Sequence, residues 1–570
     1  AADELRSWLA VHPDDAAAHA HLAHVLSLDK QDDAAWSSLI TAEALDATSP
    51  IVQRTQARLL LKRQQIDAAF EAAKSAWTSD KNDPENLLIL AATMGAKGHI
   101  DKAATMVELA LSARPHYAEA FAVRAQLSLR AGASDKALAD FEAALNLKPH
   151  LIQLWPIVAT LRYQRRDLAG AIAALDSAQK FEPDNVAHLV NLGEFKRQAG
   201  AIDDAVMLLG KAVAMDPDNA GAWTNYGTVL QTAGRKKEAV EAYERTLKIN
   251  PRQAETINNL GAMAKDDENW ELALQYFQKA VDIQPELAEA HNNLGTAFKE
   301  LGRLDEAIGS FDMAGTRISR AKSLECNYKL GKYDVFHTNL ANLIATDKSN
   351  IRAAAISAFA AHQLGHNDPY PFCKNPLDFI RVSHFDACAS DTDGLIDELL
   401  DELSHRSAVW EPIGRTTNFG FQTPSNLFSN PEHSLARLDQ IIKEELVAYY
   451  SEYGSMRCTY TDLWPKELNI VGWYTRLLDQ GHQTSHIHTS GWLSGVIYLK
   501  VPKASQKDEG AIEFSLHGYD YPILDHEYPR ILHHPKAGEI ILFPSSLFHK
   551  TVPISGDSER LSIAFDLLPK

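Results

Sequence analysis

Three histidines near the end of the chain have the types and spacing of metal ligands. His486 and His488 lie two positions apart in "HQTSHIHTSGWLSGVIYL", directly before an apolar, β-branched stretch, and His549 follows a second apolar stretch. Side chains two positions apart on extended backbone point the same way, so this pair can bind one ion. A third histidine from a neighbouring strand would complete one face of the ion and leave the opposite positions open. A redox-active iron needs open positions to take up substrate and O2, and we predict a metal site here.

The other histidines of this region are assigned different roles. His482 falls outside the alternation of the pair, and we expect it beside the metal site or at the surface. Four more lie in a loop-rich stretch with Tyr519, Asp520 and Tyr521, which either shapes the mouth of the substrate site or is a solvated loop. They are His517, His526, His533 and His534.

Short strands and two helices are predicted to position these side chains. The strand candidates are short apolar runs with β-branched or aromatic residues. They cover residues 468–477, 493–501, 511–516, 539–545 and 561–568. Two amphipathic segments, 392–405 and 434–453, precede them and predict helices. Helices followed by short strands favour an α+β domain in which helices brace a β-sandwich or barrel.

The amino-terminal half is an array in which the same residue types recur with a period of about 34 residues. Glycines keep this phase at 98, 132, 200, 234 and 302, with Arg166 and Glu268 at the skipped places. Prolines keep it too, at Pro115, Pro149, Pro183, Pro217, Pro251 and Pro285. The unit "AWTNYGTVLQTAGRKKEAVEAYERTLKINP", residues 222–251, resembles the tetratricopeptide repeat. The resemblance implies an all-α superhelix over residues 1–318, continued by degenerate connecting helices over 319–366.

An asparagine ladder runs through these repeats. Asn191, Asn225, Asn259 and Asn293 recur with the same period, each two residues before a repeat glycine. In the tetratricopeptide pattern this position lies on the first helix of each pair, which lines the concave groove. A side-chain amide both donates and accepts, so it can pair with the backbone of a peptide of any sequence. The ladder looks like the peptide-tracking groove of the O-linked N-acetylglucosamine transferases; alternatively, the amides serve local helix hydrogen bonds.

Arg560 and Ser562 indicate which chemistry a metal would serve. They lie in "RLSIAF", shortly after His549 and on the last predicted strand. Together with "HIH", "SGVIYL" and "GEIILFPS", this order of motifs over about residues 367–570 resembles the Fe(II)/2-oxoglutarate-dependent oxygenases, especially a bacterial subgroup. The resemblance implies a double-stranded β-helix (jelly roll) with the three histidines at the metal positions. It also implies that Arg560 pairs bidentately with the distal carboxylate of 2-oxoglutarate, assisted by Ser562 and by Tyr498.

His488 departs from the common pattern of that family. The usual triad has Asp or Glu at the middle position, and a neutral imidazole there raises the charge around the metal by one unit. Three arrangements stay open at this point. His488 binds the metal directly, it stands aside and leaves two histidines, or a carboxylate such as Glu513 takes its place.

We therefore expect an Fe(II)- and 2-oxoglutarate-dependent dioxygenase that uses O2 to hydroxylate a protein or peptide held in the repeat groove. The metal site accounts for the catalysis, and no separate catalytic residue is assigned. Two alternatives stand beside this hypothesis. "GEIILFPSSLFH" approximates a cupin pattern, which favours a three-histidine oxygenase without 2-oxoglutarate, and His488 is compatible with a catalytically silent peptide-binding scaffold.

Composition limits the other classes. The 570 residues carry a formal net charge of −19, which argues against a nucleic-acid partner because that needs a basic face. The sequence has no apolar run of about 20 residues, so we expect no membrane span. The four cysteines, Cys326, Cys373, Cys388 and Cys458, form no C-x-x-C pair and suit a reducing compartment. We expect a cytoplasmic protein; oligomeric state is not assigned.

Overall fold

The computed structural model describes residues 1–384, 392–412, 416–424, 426–502, 507–556 and 559–569. The chain divides into two compact units, Ala1–Pro251 and Arg252–Lys570. Cys388 lies outside the described residues, and Cys326, Cys373 and Cys458 are free thiols.

The first unit consists of antiparallel helix pairs, with one short 3-10 segment at Ile152–Leu154. Its helices are α1 (Ala2–Val11), α2 (Ala16–Leu28), α3 (Asp32–Asp46), α4 (Pro50–Lys62), α5 (Ile66–Ser79), α6 (Pro84–Ala96), α7 (Ile100–Ala113), α8 (Ala118–Arg130), α9 (Ser134–Leu147), α10 (Trp155–Gln164), α11 (Leu168–Phe181), α12 (Val186–Gln198), α13 (Ile202–Met215), α14 (Ala220–Thr232) and α15 (Lys236–Ile249).

The phase of the array is set by the turn inside each helix pair. The turn residue adopts positive φ, which glycine reaches without cost, as at Gly234 with φ +73°. Arg166 and Lys30 occupy the same turn position with φ of 64° and 60°, at a cost of roughly 1 kcal/mol each. Between the helices, a Cβ added to Gly227 would lie 2.5 Å from the Tyr243 ring. A small residue on one helix and a large one on the next therefore fix how closely the pair packs.

The second unit continues the repeats and adds the carboxyl-terminal domain. Its helices are α16 (Ala254–Asp266), α17 (Trp270–Ile283), α18 (Ala288–Glu300), α19 (Leu304–Ala314), α20 (Arg317–Lys329), α21 (Tyr333–Thr346), α22 (Ile351–Gln363), α23 (Thr392–Ser404), α24 (His433–Tyr453) and α25 (Thr459–Asp462).

One helix of the array is shortened, and the repeat then resumes. Helix α19 has 11 residues where the second helices of earlier pairs have 14 or 15, and it ends at Gly315 in the left-handed conformation. The next turn residue, Gly331, therefore comes early, but Gly365 follows it at the usual spacing of the array. The helices up to α22 are thus structural repeats even though their consensus residues have been lost.

Antiparallel strands form two sheets in the carboxyl-terminal domain. The strands are β1 (Arg381–His384), β2 (Val409–Trp410), β3 (Thr417–Gln422), β4 (Ile470–Gln483), β5 (Leu493–Lys500), β6 (Ile512–Ser515), β7 (Arg530–His533), β8 (Glu539–Pro544), β9 (Phe548–Thr551) and β10 (Arg560–Leu567). The larger sheet has the order β1-β8-β5-β10-β4-β3-β2, and the smaller one has the order β7-β6-β9.

The larger sheet is covered on both faces. One face packs through residues such as Ile497 and Ile563 against Leu438 and Ile442 of α24, and α23 joins the same core. The other face meets the small sheet across a second core, in which the Phe514 and Phe543 rings lie 4.9 Å apart. The layers are therefore helices, large sheet and small sheet, and the interior between the sheets is where functional side chains can be enclosed.

The predicted helical repeats followed by a β-rich domain are confirmed, and all five predicted strands occur as β4, β5, β6, β8 and β10. Five strands were not predicted. β7 is mostly exposed and β3 reads "TNFGFQ", so neither shows a clear hydrophobic signal. The detailed double-stranded β-helix topology stays a prediction. Within the described residues, no helix combines the length and apolar character needed to cross a membrane.

Candidate metal centre

His486, His488 and His549 come together at one end of the interior between the sheets. Their nearest ring nitrogens all lie within 4.8 Å of one another. His486 and His549 exchange two backbone hydrogen bonds of 3.1 Å, which fix the segment after β4 against strand β9. The His488 N–H donates to the Ser545 carbonyl at 3.1 Å, so the backbone of all three histidines is held by sheet-type contacts.

Each histidine has its Nδ1 engaged; of the Nε2 atoms, that of His486 lies 3.5 Å from the Thr416 hydroxyl oxygen, too far for a strong hydrogen bond. His486 Nδ1 lies 2.7 Å from the Thr484 carbonyl oxygen, and His549 Nδ1 lies 3.2 Å from the Leu547 carbonyl oxygen. Because a carbonyl can only accept, these contacts place the proton on Nδ1 and the lone pair on Nε2. This is the form in which imidazole binds a metal.

His488 is held by a carboxylate. Its Nδ1 lies 2.6 Å from Asp566 Oδ1, and Ser494 Oγ donates to the same oxygen at 2.7 Å. A carboxylate on the outer nitrogen of a metal-binding histidine fixes the ring and increases its basicity. The negative charge that the usual family pattern supplies directly to the metal is therefore present here one hydrogen bond further out.

The imidazoles of His486 and His549 are neutral in this environment. Burial, with a smaller contribution from His488, lowers the pKa of His486 to about 3, and burial holds the pKa of His549 well below its usual value. A low pKa means that protons compete weakly for Nε2. The geometry and the charge state both suit a cation bound by three nitrogen atoms.

A second polar group lies deeper in the same interior, around Arg560. Ser562 on β10 stands opposite Tyr498 on β5 and Thr475 on β4, so their side chains share one face of the large sheet. Arg560 is 2% exposed, and its Nη2 donates to Tyr498 Oη at 2.9 Å. The guanidinium carbon lies 4.8 Å from the centre of the Tyr498 ring.

Much of this polar group has no partner. Arg560 Nε and Nη1 and Thr475 Oγ1 are buried without a hydrogen bond, and within the described residues Arg560 has no ion-pair partner and the Ser562 hydroxyl no hydrogen bond. Leaving a buried charged donor unpaired costs more than a typical hydrogen bond contributes. A carboxylate would satisfy these donors, so the residues fit the distal end of 2-oxoglutarate.

Two members of the site were missed in the sequence. Asp566 and Thr475 lie on strands that were predicted, but their roles depend on which residues stand opposite them. Asp566 shares the face of Arg560 and Ser562 because it follows them at even spacing on β10. That spacing, in a strand otherwise buried and apolar, was the available signal.

The other candidates lie outside the cluster. Glu513 stands opposite Lys550, with which it forms an ion pair of 3.1 Å, while its neighbour Phe514 faces the interior opposite His549. Glu513 therefore points away from the histidines and does not supply the missing carboxylate. His482 contacts the Gln480 carbonyl, and the remaining four bind elsewhere or lie exposed: His517, His526, His533 and His534.

A cavity of about 590 Å³ opens beside His486 and His488. Polar uncharged side chains contribute much of its wall, and Trp473 and Tyr519 supply aromatic surface. Its amide-bearing residues are Gln422, Asn426 and Gln483. The predicted mouth-shaping stretch thus reaches the cavity through Tyr519.

The loop that carries Tyr519 joins β6 to β7 and is fastened to the last repeat helices. The Tyr521 hydroxyl donates to Glu325 on α20 at 2.7 Å, and Glu325 also pairs with Arg352 on α22 at 2.6 Å. The Arg352 guanidinium lies 4.5 Å from the centre of the Tyr519 ring. Gln363 at the end of α22 accepts from two backbone N–H groups of the same loop. One wall of the cavity is therefore positioned by repeat helices.

The ladder asparagines lie on first helices of their pairs, α12, α14, α16 and α18. Within the described residues, the side chains of Asn191, Asn225 and Asn259 have no hydrogen-bond partner, whereas Asn293 Nδ2 donates to Asn258 Oδ1 at 3.0 Å. Three of the four amides are therefore available to a ligand, and the fourth keeps its own oxygen available.

Residues 472–566 match the family model described as "Putative 2OG-Fe(II) oxygenase". The chain combines tetratricopeptide repeats with an oxygenase-type domain. A second family model, the Cilia and flagella-associated protein 70 C-terminal domain, matches residues 117–327 in the repeats. No curated protein sequence matches the chain.

Three solved structures are similar to parts of the chain. The TPR protein YrrB, whose structure is described as having an unusual peptide-binding site, is 19% identical over 32% of this chain and 94% of its own, with a TM-score of 0.30. MamA is 27% identical over 28% of this chain and 92% of its own, with a TM-score of 0.25. PilF of Pseudomonas aeruginosa is 19% identical over 37% of this chain and 96% of its own, with a TM-score of 0.31.

We expect acid to destabilise the metal-free oxygenase-type domain. The unfolded chain protonates His486 and His549 near their ordinary pKa of about 6.5, whereas the folded chain holds them neutral to about 3 for His486. The free energy of unfolding is thus fully retained above about pH 6.5 and falls below it by about 1.4 kcal/mol per pH unit for each histidine. Urea unfolding between pH 7 and pH 4 measures this slope. His486→Gln should reduce the pH dependence of the free energy of unfolding by the contribution of one histidine. An unchanged slope would contradict the assignment of the lowered pKa to His486.

Proposed function

We propose that the protein is an Fe(II)- and 2-oxoglutarate-dependent dioxygenase that hydroxylates a protein or peptide held by its repeats. The observation that carries this proposal is the buried Arg560 with two unpaired nitrogens, in the same interior as three histidines with ring nitrogens within 4.8 Å of one another. A metal-binding scaffold alone would not need a buried, unpaired guanidinium. Since such a group destabilises the fold, an anionic ligand is the simplest reason for it.

When bound, the iron and 2-oxoglutarate would supply the oxidising chemistry, with O2 as oxidant and succinate and CO2 as co-products. The protein's part is to hold and orient. His486, His488 and His549 would present three nitrogens, and Asp566 would keep His488 in the required orientation. Arg560 would bind the distal carboxylate through its free N–H groups, while the Tyr498 hydroxyl, which accepts from Arg560, has its own proton to donate.

The cavity beside the histidines suits an uncharged polar substrate segment. Amide side chains such as Gln422 and Gln483 can donate to and accept from a peptide backbone, and Trp473 offers apolar contact. The carboxylate in this wall, Asp566, is already bound by His488 and Ser494. A polypeptide delivered by the ladder asparagines would gain binding energy remote from the oxidised bond.

The cupin-type alternative differs in one testable respect. It uses three histidines but no 2-oxoglutarate, so it assigns no role to Arg560, Ser562 or Thr475. The unpaired polar atoms of Arg560 and Thr475 therefore favour the 2-oxoglutarate-dependent reaction.

The direct test is succinate release. Purified protein incubated with Fe(II), 2-oxoglutarate and ascorbate should release succinate slowly even without substrate, and His549→Ala should not. Succinate no higher from the wild type than from His549→Ala would contradict the proposed function. Oxygen consumption that does not need 2-oxoglutarate would support the cupin-type reaction instead.

The role of the ladder asparagines is tested by measuring peptide retention and succinate release separately. Asn225→Ala combined with Asn259→Ala should reduce retention of a random-sequence peptide library on immobilised protein by about three- to tenfold, because each substitution removes a hydrogen bond to the peptide. Uncoupled succinate release should be unchanged. Asn146→Ala, an exposed asparagine on the second helix α9, is the matched control. Equal retention by the double variant and this control would exclude the ladder from capture.

A further inference from the structure

Lys322 continues the asparagine ladder with a positive charge. Each ladder asparagine precedes the turn residue of its helix pair by nine residues, as Asn293 precedes Gly302. Because α19 is shortened, the next ladder position does not follow Asn293 at the usual repeat spacing of 34 residues. Counted from Gly331, the turn residue after α20, that position is Lys322.

The amine of Lys322 lies on the first-helix face, among neutral partners. Its Nζ donates to Asn292 Oδ1 at 3.2 Å and to Thr296 Oγ1 at 3.0 Å, both on α18. It also lies 5.4 Å from the centre of the Phe311 ring. An ammonium group has three donors, so one remains for a ligand.

No carboxylate of the described residues forms an ion pair with Lys322. Glu325, one turn further along α20, is bound by both Arg352 and Tyr521. Lys299 is paired with Glu300 at 3.1 Å. Burial and the nearby Arg352 lower the pKa of Lys322 to about 8, while the charge of Glu325 opposes this shift.

We propose that Lys322 binds an Asp or Glu side chain of the polypeptide substrate. The inference rests on the proposed function, because it names a feature of the peptide that the repeats would capture. A partly buried ammonium with a spare donor and no acidic partner is complementary to a carboxylate, and such a pair forms short, strong hydrogen bonds.

The position of Lys322 favours a side chain over a C-terminal carboxylate. Its helix, α20, also carries Glu325, which holds the loop whose Tyr519 lines the cavity beside the histidines. A peptide that runs from Asn293 past Lys322 into that cavity has residues on both sides of the one that contacts Lys322. The acidic residue therefore lies within the chain and sets which neighbouring residue is presented for oxidation.

Selection from a displayed library of random peptides, fused at their C-termini, tests the proposal on the full-length protein. Peptides retained by the wild type should be enriched about fivefold or more in Asp or Glu at one position. Lys322→Met should abolish this enrichment, Lys322→Arg should keep it, and Lys279→Met, an exposed lysine on the second helix α17, should leave it unchanged. A selected peptide with its acid changed to Gln should bind the wild type about tenfold more weakly and the Met variant equally well.

The same acidic enrichment with Lys322→Met, or none with the wild type, would overturn the proposal. So would retention that appears only when a free C-terminal carboxylate is supplied. Binding is read without turnover, so these outcomes are separate from succinate release, whose absence would contradict the proposed function alone. Circular dichroism of Lys322→Met confirms that a lost preference does not come from unfolding.

Discussion

Replacing Arg560 by methionine is expected to abolish cosubstrate binding while making the ligand-free protein more stable. The substitution keeps an apolar stem but removes a fork that would form two charge-assisted hydrogen bonds to a carboxylate, so 2-oxoglutarate should bind about 100- to 1000-fold more weakly. It also removes buried N–H groups that have no partner, which should raise the free energy of unfolding by about 1–3 kcal/mol. Calorimetric titration with Mn(II) as a redox-inert substitute for Fe(II), together with urea unfolding, measures both effects.

The opposite signs of these effects distinguish a binding role from a structural one. If Arg560 only supported the sheets, its loss would lower stability and weaken 2-oxoglutarate binding together. Arg476→Ala is the matched control, because this arginine lies on the neighbouring strand β4 and pairs with Glu559 at the surface. It should leave the affinity for 2-oxoglutarate within about twofold. Wild-type affinity in the Arg560→Met variant would remove the basis for the proposed function.

The second large effect concerns the third histidine. If His488 binds the metal, His488→Ala should weaken binding of Co(II), a spectroscopic substitute for Fe(II), as strongly as His486→Ala does. Asp566→Ala should weaken it by about 10- to 100-fold, as expected when the partner of a metal-binding histidine is lost. Titration followed by the visible absorption of Co(II) gives both values, with His482→Ala as a control outside the cluster.

The double variant separates the role of Asp566 from that of His488. If Asp566 acts only through His488, then His488→Ala combined with Asp566→Ala should bind Co(II) no more weakly than His488→Ala alone. Losses that multiply would mean that Asp566 contacts the metal or another group. Co(II) affinity unchanged in both single variants would show that His488 stands aside and that the site has two histidines.

The repeats and five of the strands could be predicted because their signals are local. A constant repeat period and short apolar runs survive in the linear sequence, whatever the chain does elsewhere. Strands β3 and β7 could not be found this way, because they gain their order from pairing with β4 and β6 rather than from their own composition. Likewise, the early turn after α19 was invisible until Gly331 was seen in the left-handed conformation.

The residues of the candidate site were likewise predictable only in part. The sequence pointed to the histidines and Arg560, and the structure brings the three histidines together. The sequence suggested Glu513 as a carboxylate near them and missed Asp566, although both are single acids in otherwise apolar strands. Register decides: Glu513 stands opposite Lys550 on one face of the small sheet, whereas Asp566 stands opposite Ser494 beside His488. A shift of one residue would exchange these faces, and nothing local reveals it.

The attachment of the β6–β7 loop to α20 and α22 bears on how such a chain could change in evolution. Tyr521 is fully enclosed against Glu325, and Phe359 of α22 packs 5.8 Å from the Tyr521 ring, so these helices share a core with the sheets. Repeats before residue 317 can be gained, lost or recombined to meet new targets without exposing that core. Helices α20, α21 and α22 cannot be exchanged in this way, so they are inherited together with the oxygenase-type domain. The boundary between the exchangeable repeats and the oxygenase-type domain therefore lies inside the array rather than at its end.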